Sequence, residues 1–100
     1  MTRRVQWSND ALDDLLKHIA HIATDNTDAA ERVAIRIREA GTALGDFATG
    51  HPGRVSGTYE KAVARLPYII AYALTNDESA VSILRVIHTA RDWQAEEWPG

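Results

Sequence analysis

The sequence predicts an α+β fold in which a short N-terminal strand and an antiparallel two-helix hairpin precede a three-stranded antiparallel meander. Between residues 9 and 48, apolar residues recur at intervals of three and four, which is the spacing of one face of a helix. Beyond residue 57 the pattern changes to short apolar runs separated by turn residues, as in strands. At 100 residues the chain is expected to be a single domain, 1–100, with the hairpin packed on the sheet.

The first two elements are predicted to be a strand and an amphipathic helix. The strand is "VQW", Val5–Trp7, and Ser8 or Asn9 is suitably placed to cap the helix that follows. The apolar stripe of this helix consists of Leu12, Leu15, Leu16, Ile19, Ile22 and Ala23. Such a stripe is typical of a helix that packs one face on a core.

A second helix is predicted after the break "TDNTD", where Asp28 and Glu31 have the spacing of a capping box. The short connection indicates an antiparallel hairpin. Ile35 lies off the apolar stripe, so it is either a single exposed apolar residue or a position that contacts a partner. The stripe itself is formed by Val33, Ile37, Ala40, Leu44 and Phe47 or Ala48.

The C-terminal half is predicted to be a loop followed by the meander. "TGHPGRVSG" has three glycines and a proline in nine residues, which indicates a loop. The middle strand of the meander is apolar on both faces, as expected of a central strand. The three strands are Thr58–Arg65, Tyr68–Thr75 and Ala80–His88.

Composition and charge exclude several classes of function. The net charge of −3 disfavours a protein that depends on binding nucleic-acid backbones, which is usually basic. The absence of cysteine excludes disulfides and thiolate zinc sites, and it fits a cytoplasmic location. No apolar run approaches the roughly 20 residues that span a bilayer, and "MTRRVQWSND" does not have the pattern of a signal peptide. We therefore expect no membrane association.

Two histidines on the first helix invite a metal-site interpretation. His18 and His21 are one turn apart, and Asp14 and Asp25 each lie four residues from one of them. Without an HExxH pattern a solvated polar face is the favoured interpretation, so no metal or other cofactor is expected. Ser56 is not in a nucleophile elbow and "GHPGR" is not a phosphate-binding loop, so neither indicates catalysis.

The polar residues of the meander allow two interpretations. Basic residues and a histidine on one sheet could stabilise a phosphate transition state and move protons, which is the chemistry of RNA cleavage. Alternatively, His88 packs at a strand end with one ring nitrogen bonded to backbone, and Arg85 pairs with Asp92. Spacing alone favours the second interpretation. The set comprises Lys61, Arg65, Arg85, His88 and Arg91.

The order of these elements and their motifs resembles the ParE branch of the RelE/ParE superfamily, the small toxins of bacterial toxin–antitoxin pairs. The resemblance is carried by "RLPYIIAYAL…VSILRVIHTARDW", by "VQWSNDALDDLLKHIAHIA" with its Ala-x-x-Asp-Leu pattern, and by "HPGRVSGTYEKAV". It covers about residues 5–93. It implies a strand, a helix hairpin and an antiparallel sheet. RelE-like members cut mRNA on the ribosome, whereas ParE-like members poison DNA gyrase without enzymatic chemistry.

Individual residues favour the ParE side of this resemblance. Ribonuclease relatives typically carry an arginine after the tyrosine that opens the central strand, whereas Tyr68 is followed here by Ile69. Many also have a catalytic tyrosine near the C-terminus, but the last tyrosine here is Tyr72, and the tail offers Trp93 and Trp98. Ribosome-directed members are commonly basic, unlike this chain.

The resemblance therefore implies the toxin of a type II toxin–antitoxin system that inhibits gyrase by protein contact. It implies a ParD-like antitoxin in a hetero-oligomer, with Ile35 as a contact, and no sequence-specific nucleic-acid binding. The expected target-binding residues are Arg91, Trp93, Arg85 and His88. The alternatives are a ribosome-dependent mRNA endoribonuclease and a degenerate, non-toxic binding module. For the endoribonuclease, the catalytic candidates are His88, Arg65, Lys61 and Arg91.

Overall fold

The computed structural model describes residues 2–90 and confirms the predicted α+β fold. The N-terminal part consists of strand β1 (Arg4–Trp7), helix α1 (Asn9–Ala23) and helix α2 (Thr27–Ala43). Four strands follow: β2 (His51–Pro52), β3 (Tyr59–Ala62), β4 (Tyr68–Thr75) and β5 (Ala80–His88). Of the residues discussed above, Arg91, Asp92, Trp93 and Trp98 lie outside the described residues.

The strands form one mixed sheet in the order β1-β5-β4-β3-β2. The predicted meander is β3–β4–β5, with antiparallel pairing between each successive pair. β1 adds to it in parallel with β5, and Val5 pairs with Val81. β2 is a two-residue strand inside the predicted loop. A strand this short has no apolar alternation that a sequence pattern could reveal.

The helical hairpin packs against the sheet around a continuous apolar core. Gly41 allows α2 to approach β1 and β5 closely, because a Cβ added there would lie 2.5 Å from the Trp7 ring and 2.9 Å from Ile83 Cδ1. Any larger residue would push α2 off β1 and β5. The fully buried large side chains are Tyr72, Ile37, Leu44, Ile70, Ile83, Val81 and Val86.

The buried face of α1 differs from the predicted stripe. Leu12 and Leu16 are 43% and 67% exposed. Leu15 is buried as predicted, and Ile19 and Ile22 pack against the core. The other side chains that α1 buries are Ala11, Asp14 and His18. The apolar stripe was misleading because α1 packs beside β5 and uses two polar side chains to bond to that strand, as described below. The helix is therefore rotated away from the face that hydrophobicity alone predicts.

The N-terminal cap agrees with the prediction for α1 and differs from it for α2. Ser8 caps α1 by accepting a bond from Ala11 N at 3.0 Å, as predicted. Asn26, rather than Asp28, caps α2 by accepting from Ala29 N at 3.0 Å. Of the two residues predicted for the end of the α2 stripe, Phe47 is 74% exposed, whereas Ala48 packs against the core. In the described part of the chain, neither helix combines the length and apolarity needed to cross a membrane.

Candidate functional site

The edge of β5 changes partner halfway along its length. From Ala80 to Ile83 it pairs with β1. Beyond Ile83, side chains of α1 and its cap take over this role. Ser8 Oγ donates to Leu84 O at 3.0 Å, Asp14 Oδ2 accepts from Val86 N at 3.0 Å, and His18 Nε2 lies 2.9 Å from Val86 O. Because a strand edge needs partners for its buried amides and carbonyls, these side chains replace a missing strand.

Asp14 also holds the side chain of Arg85. The guanidinium donates to the carboxylate twice, from Nε to Oδ2 at 2.6 Å and from Nη2 to Oδ1 at 2.9 Å. Together with Val86 N, the carboxylate accepts three hydrogen bonds, although the residue is only 9% exposed. Such a forked arrangement is a strong, directional interaction. It gives a physical reason for an aspartate among the apolar residues of the Ala-x-x-Asp-Leu pattern.

These contacts correct the prediction of a solvated polar face on α1. Asp14 and His18 belong to a buried interface with β5, not to a solvated face, while His21 is exposed. Among residues 2–90 there is no group of three or more acidic, histidine or cysteine side chains that could hold a metal. Arg85 forms its ion pair with Asp14. The predicted partner, Asp92, lies outside the described residues.

His88 lies at the end of β5, with Nδ1 accepting a bond from Ala90 N at 3.2 Å. This is the strand-end packing and backbone bond that one interpretation of the sequence expected. Its ring is 5.2 Å from that of Tyr68 and 6.3 Å from that of His18. Thr89 N then donates to Pro67 O at 2.9 Å. The end of β5 is therefore held by contacts with Tyr68 of β4, with Pro67 just before it, and with His18 of α1.

The other predicted cations have different surroundings from His88. Lys61 lines a groove against α2, and Arg65 is an exposed residue of the β3–β4 turn with a φ of 65°. Arg85 is bound by α1. The described residues of the predicted catalytic set, which are Lys61, Arg65 and His88, thus differ in their surroundings.

A groove that sequence reasoning missed runs between the end of α2 and β3. It has a volume of about 490 Å³ and is mostly apolar, with Lys61 as its cationic side chain. We call it the α2 groove, and it is lined by Ala40, Ala43, Leu44, Phe47, Thr49, Lys61, Ala62 and Ala64. The signal available in the sequence was Phe47, which lies four residues beyond the last residue of the helix.

A second depression of about 450 Å³ lies next to the α2 groove and shares Ala43 with it. Ile35, which is 47% exposed, lines this depression together with Arg38 and other polar residues of α2. Ile35, which the sequence placed off the apolar stripe of α2, is thus exposed on a surface continuous with the α2 groove. Its role as a partner contact stays a prediction.

Known proteins similar to this chain are toxins and toxin–antitoxin complexes. Residues 5–93 match the family described as the ParE toxin of the type II toxin–antitoxin system parDE. A protein of Sinorhizobium fredii named "Putative toxin Y4kP" is 41% identical over 92 residues, which span 91% of this chain and 93% of that protein.

Solved structures share the fold at lower identity. A chain of the chromosomal ParDE toxin–antitoxin system of P. aeruginosa superposes with a TM-score of 0.78 and 21% identity, over 87% of this chain and 96% of that one. A chain of the RelBE2 toxin–antitoxin complex of Mycobacterium tuberculosis gives 0.63 and 24%, over 88% and 99% of the respective chains. With its sequence matched along nearly its whole length, the chain belongs to the ParE family of type II toxins in the RelE/ParE superfamily.

Proposed function

We propose that this toxin inhibits DNA gyrase by protein contact and is neutralised by a ParD-like antitoxin. The observation that carries the proposal is the bidentate bond between Arg85 and Asp14. A guanidinium that is already matched to a buried carboxylate gains little by turning to a phosphate, because the carboxylate would lose its partner. Arg85, which the sequence offered both as a cation of the polar set on the meander and as a target contact, therefore serves the fold.

The surroundings of Lys61 and His88 also favour gyrase inhibition over RNA cleavage. Cleavage of RNA requires a proton-transfer group and cations that converge on one phosphate. Lys61 faces a groove lined by helix residues, and His88 is engaged through Nδ1 at the strand end. We assign His88 to packing and hydrogen bonding at the end of β5, and the target contact to Arg91 and Trp93.

The alternative function is a ribosome-dependent mRNA endoribonuclease. One observation favours it: the rings of Tyr68 and His88 lie 5.2 Å apart at the end of the sheet. Tyrosine and histidine can both transfer protons. A degenerate toxin that retains only antitoxin binding is the third candidate.

The α2 groove is the surface that we assign to the antitoxin. A concave, mostly apolar groove next to an exposed phenylalanine is typical of a site for an amphipathic peptide segment. Phe47 exposes 74% of its surface, and Ile35 extends the apolar surface beyond the groove. Lys61 is the charged side chain among the residues that line the α2 groove, which favours an acidic residue at the matching position of an apolar partner segment.

Induction of the toxin with two simultaneous measurements tests the proposed target. Gyrase inhibition should trigger a DNA-damage response and stabilise cleaved DNA before translation slows. Purified toxin should likewise inhibit supercoiling by purified gyrase, and added antitoxin should restore it. An arrest of translation that comes first, with defined mRNA ends, would establish the ribonuclease alternative. Growth that continues normally at full expression would favour the degenerate binding module.

A further inference from the structure

We propose that His18 is a positioning residue, which holds the end of β5 against α1 and on which growth inhibition by the toxin depends. The inference rests on the proposed function in one respect: it takes the residues after β5 as the toxic surface. It adds a role for α1, which lies outside that surface.

The backbone at the end of β5 needs hydrogen-bond partners from outside the sheet. β1 ends at Trp7, opposite Ile83, so the following residues of β5 require other groups for their outward amides and carbonyls. Val86, which is 1% exposed, has its N–H bonded to Asp14 and its carbonyl to His18. Water has little access to replace either bond.

His18 contacts residues closer to the end of β5 than Asp14 does. Its ring contacts Tyr68 edge-on at 5.0 Å, and it lies 6.3 Å from the ring of His88. Tyr68 and His88 are paired across β4 and β5. His18 therefore links the last paired residues of the sheet to α1, immediately before Thr89 bonds to Pro67.

The position of His18 requires a hydrogen-bond donor. The carbonyl of Val86 only accepts, so His18 Nε2 carries the proton and donates it. A side chain with an N–H donor at that point preserves the bond. His18→Gln supplies an amide N–H near the place of Nε2, whereas His18→Phe keeps an aromatic ring against Tyr68 and removes the donor.

Growth inhibition at matched toxin levels tests the role. The toxin level that halves the growth rate, measured by immunoblot, should rise at least tenfold for His18→Phe and stay within twofold of wild type for His18→Gln. Antitoxin affinity should stay within twofold for both variants, because the α2 groove lies elsewhere. General unfolding would instead weaken both properties together.

Amide hydrogen exchange of the toxin–antitoxin complex provides a second measurement that is independent of the target. In His18→Phe, amides from Ile87 to Ala90 should exchange at least tenfold faster, while those of β3 keep their rates. If His18→Phe does not fold, His18→Asn, which is too short to reach Val86 O, replaces it with the same expected result. A folded donor-less variant with wild-type growth inhibition, or with wild-type exchange at these amides, would overturn the inference. Failure of wild type to inhibit gyrase would refute only the proposed target, since both measurements are made without reference to it.

Discussion

The hydroxyl of Tyr72 accepts a hydrogen bond from the backbone amide of Gly50 at 2.8 Å. The bond ties the segment after α2 to the middle of β4, where Tyr72 is fully buried and stacks on Tyr59 at 5.5 Å. Gly50 fits closely, since a Cβ there would lie 2.6 Å from the hydroxyl oxygen. This contact fixes one end of the α2 groove region relative to the sheet.

Replacing Tyr72 by phenylalanine should lower the free energy of unfolding by about 1–2 kcal/mol. The ring and its stacking remain, but the partly buried N–H of Gly50 loses its acceptor. Urea unfolding followed by far-ultraviolet circular dichroism measures the change. Tyr59→Phe is the matched control, because it alters the other ring of the stack without touching this bond. An equal loss in both variants would contradict the assigned role of the bond.

Tyr72 should also make the free energy of unfolding depend on pH above neutrality. Burial raises the pKa of Tyr72 above its ordinary value of 10.0, and the Gly50 bond opposes part of that rise. A group whose folded pKa is raised stabilises the fold fully below the unfolded pKa and loses that contribution as the pH rises through the folded pKa. Stability should thus fall above pH 10 in wild type.

The control for this pH dependence is again Tyr72→Phe. Because the variant has no hydroxyl to ionise at this position, its stability should decline less steeply above pH 10. The gap in unfolding free energy between the two proteins should therefore narrow. A gap that is constant from pH 8 to pH 11 would show that ionisation of Tyr72 does not limit stability.

The carboxylate of Asp14 should be a major determinant of stability. Asp14→Asn removes the charge that matches Arg85 and leaves a guanidinium nitrogen facing the amide, so we expect a loss of about 3 kcal/mol. Asp13→Asn, at the exposed neighbouring position, should change stability by less than about 0.5 kcal/mol. Chemical denaturation of both variants as complexes and as free toxins measures the difference. Equal effects at the two positions would mean that the ion pair contributes nothing net.

The assignment of the α2 groove to the antitoxin predicts an asymmetry between two exposed apolar residues. Phe47→Ala should weaken antitoxin binding by about 2 kcal/mol or more, since aromatic anchors dominate such interfaces. Leu16→Ala, on α1, is the control, because Leu16 is also well exposed but lies outside the groove lining. Calorimetric titration of a synthetic antitoxin segment measures both affinities. A larger loss for Leu16→Ala would move the interface to α1.

Toxicity should depend more on the segment after β5 than on His88. His88→Gln keeps polarity and approximate size, so growth inhibition should persist, whereas Arg91→Ala or Trp93→Ala should cost over tenfold in target affinity, which corresponds to about 2 kcal/mol. A nuclease that loses its proton-transfer group would instead slow by roughly 10²–10⁴. Growth assays with a folding check on each variant decide the order. A folded His88→Gln toxin that is inert while Arg91→Ala stays toxic would support the ribonuclease alternative.

The two long strands could be predicted from the sequence because turn residues bound both apolar runs. β4 and β5 begin and end where the pattern placed them. β3 is shorter than its predicted Thr58–Arg65 range and ends at Ala62, because the chain turns there into the β3–β4 connection, where Arg65 has a positive φ. Local pattern is reliable where apolar runs and turn residues agree.

The candidate site was harder to predict because its contacts are distant in sequence. Asp14 and Arg85 are 71 residues apart, and nothing local in either segment indicates the other. Helical periodicity counts apolar residues, so it assigned the buried face to Leu12 and Leu16 and treated Asp14 and His18 as solvated. The available signal was their position, since they fall on the same helical face as Ala11 and Leu15. Polar residues on such a face indicate a hydrogen-bonded interface.

The parallel pairing of β1 with β5 also determines when the chain can acquire its shape during synthesis. Arg4 pairs with Ala80, so β1 cannot join the sheet until β5 has been synthesised. α1 likewise packs on β5, the strand between β1 and β4. Contacts this distant in sequence form late, after the loops between them close. A nascent chain that stops before residue 80 has no sheet surface for its first strand and helix, so premature termination upstream of β5 yields fragments without the toxin fold.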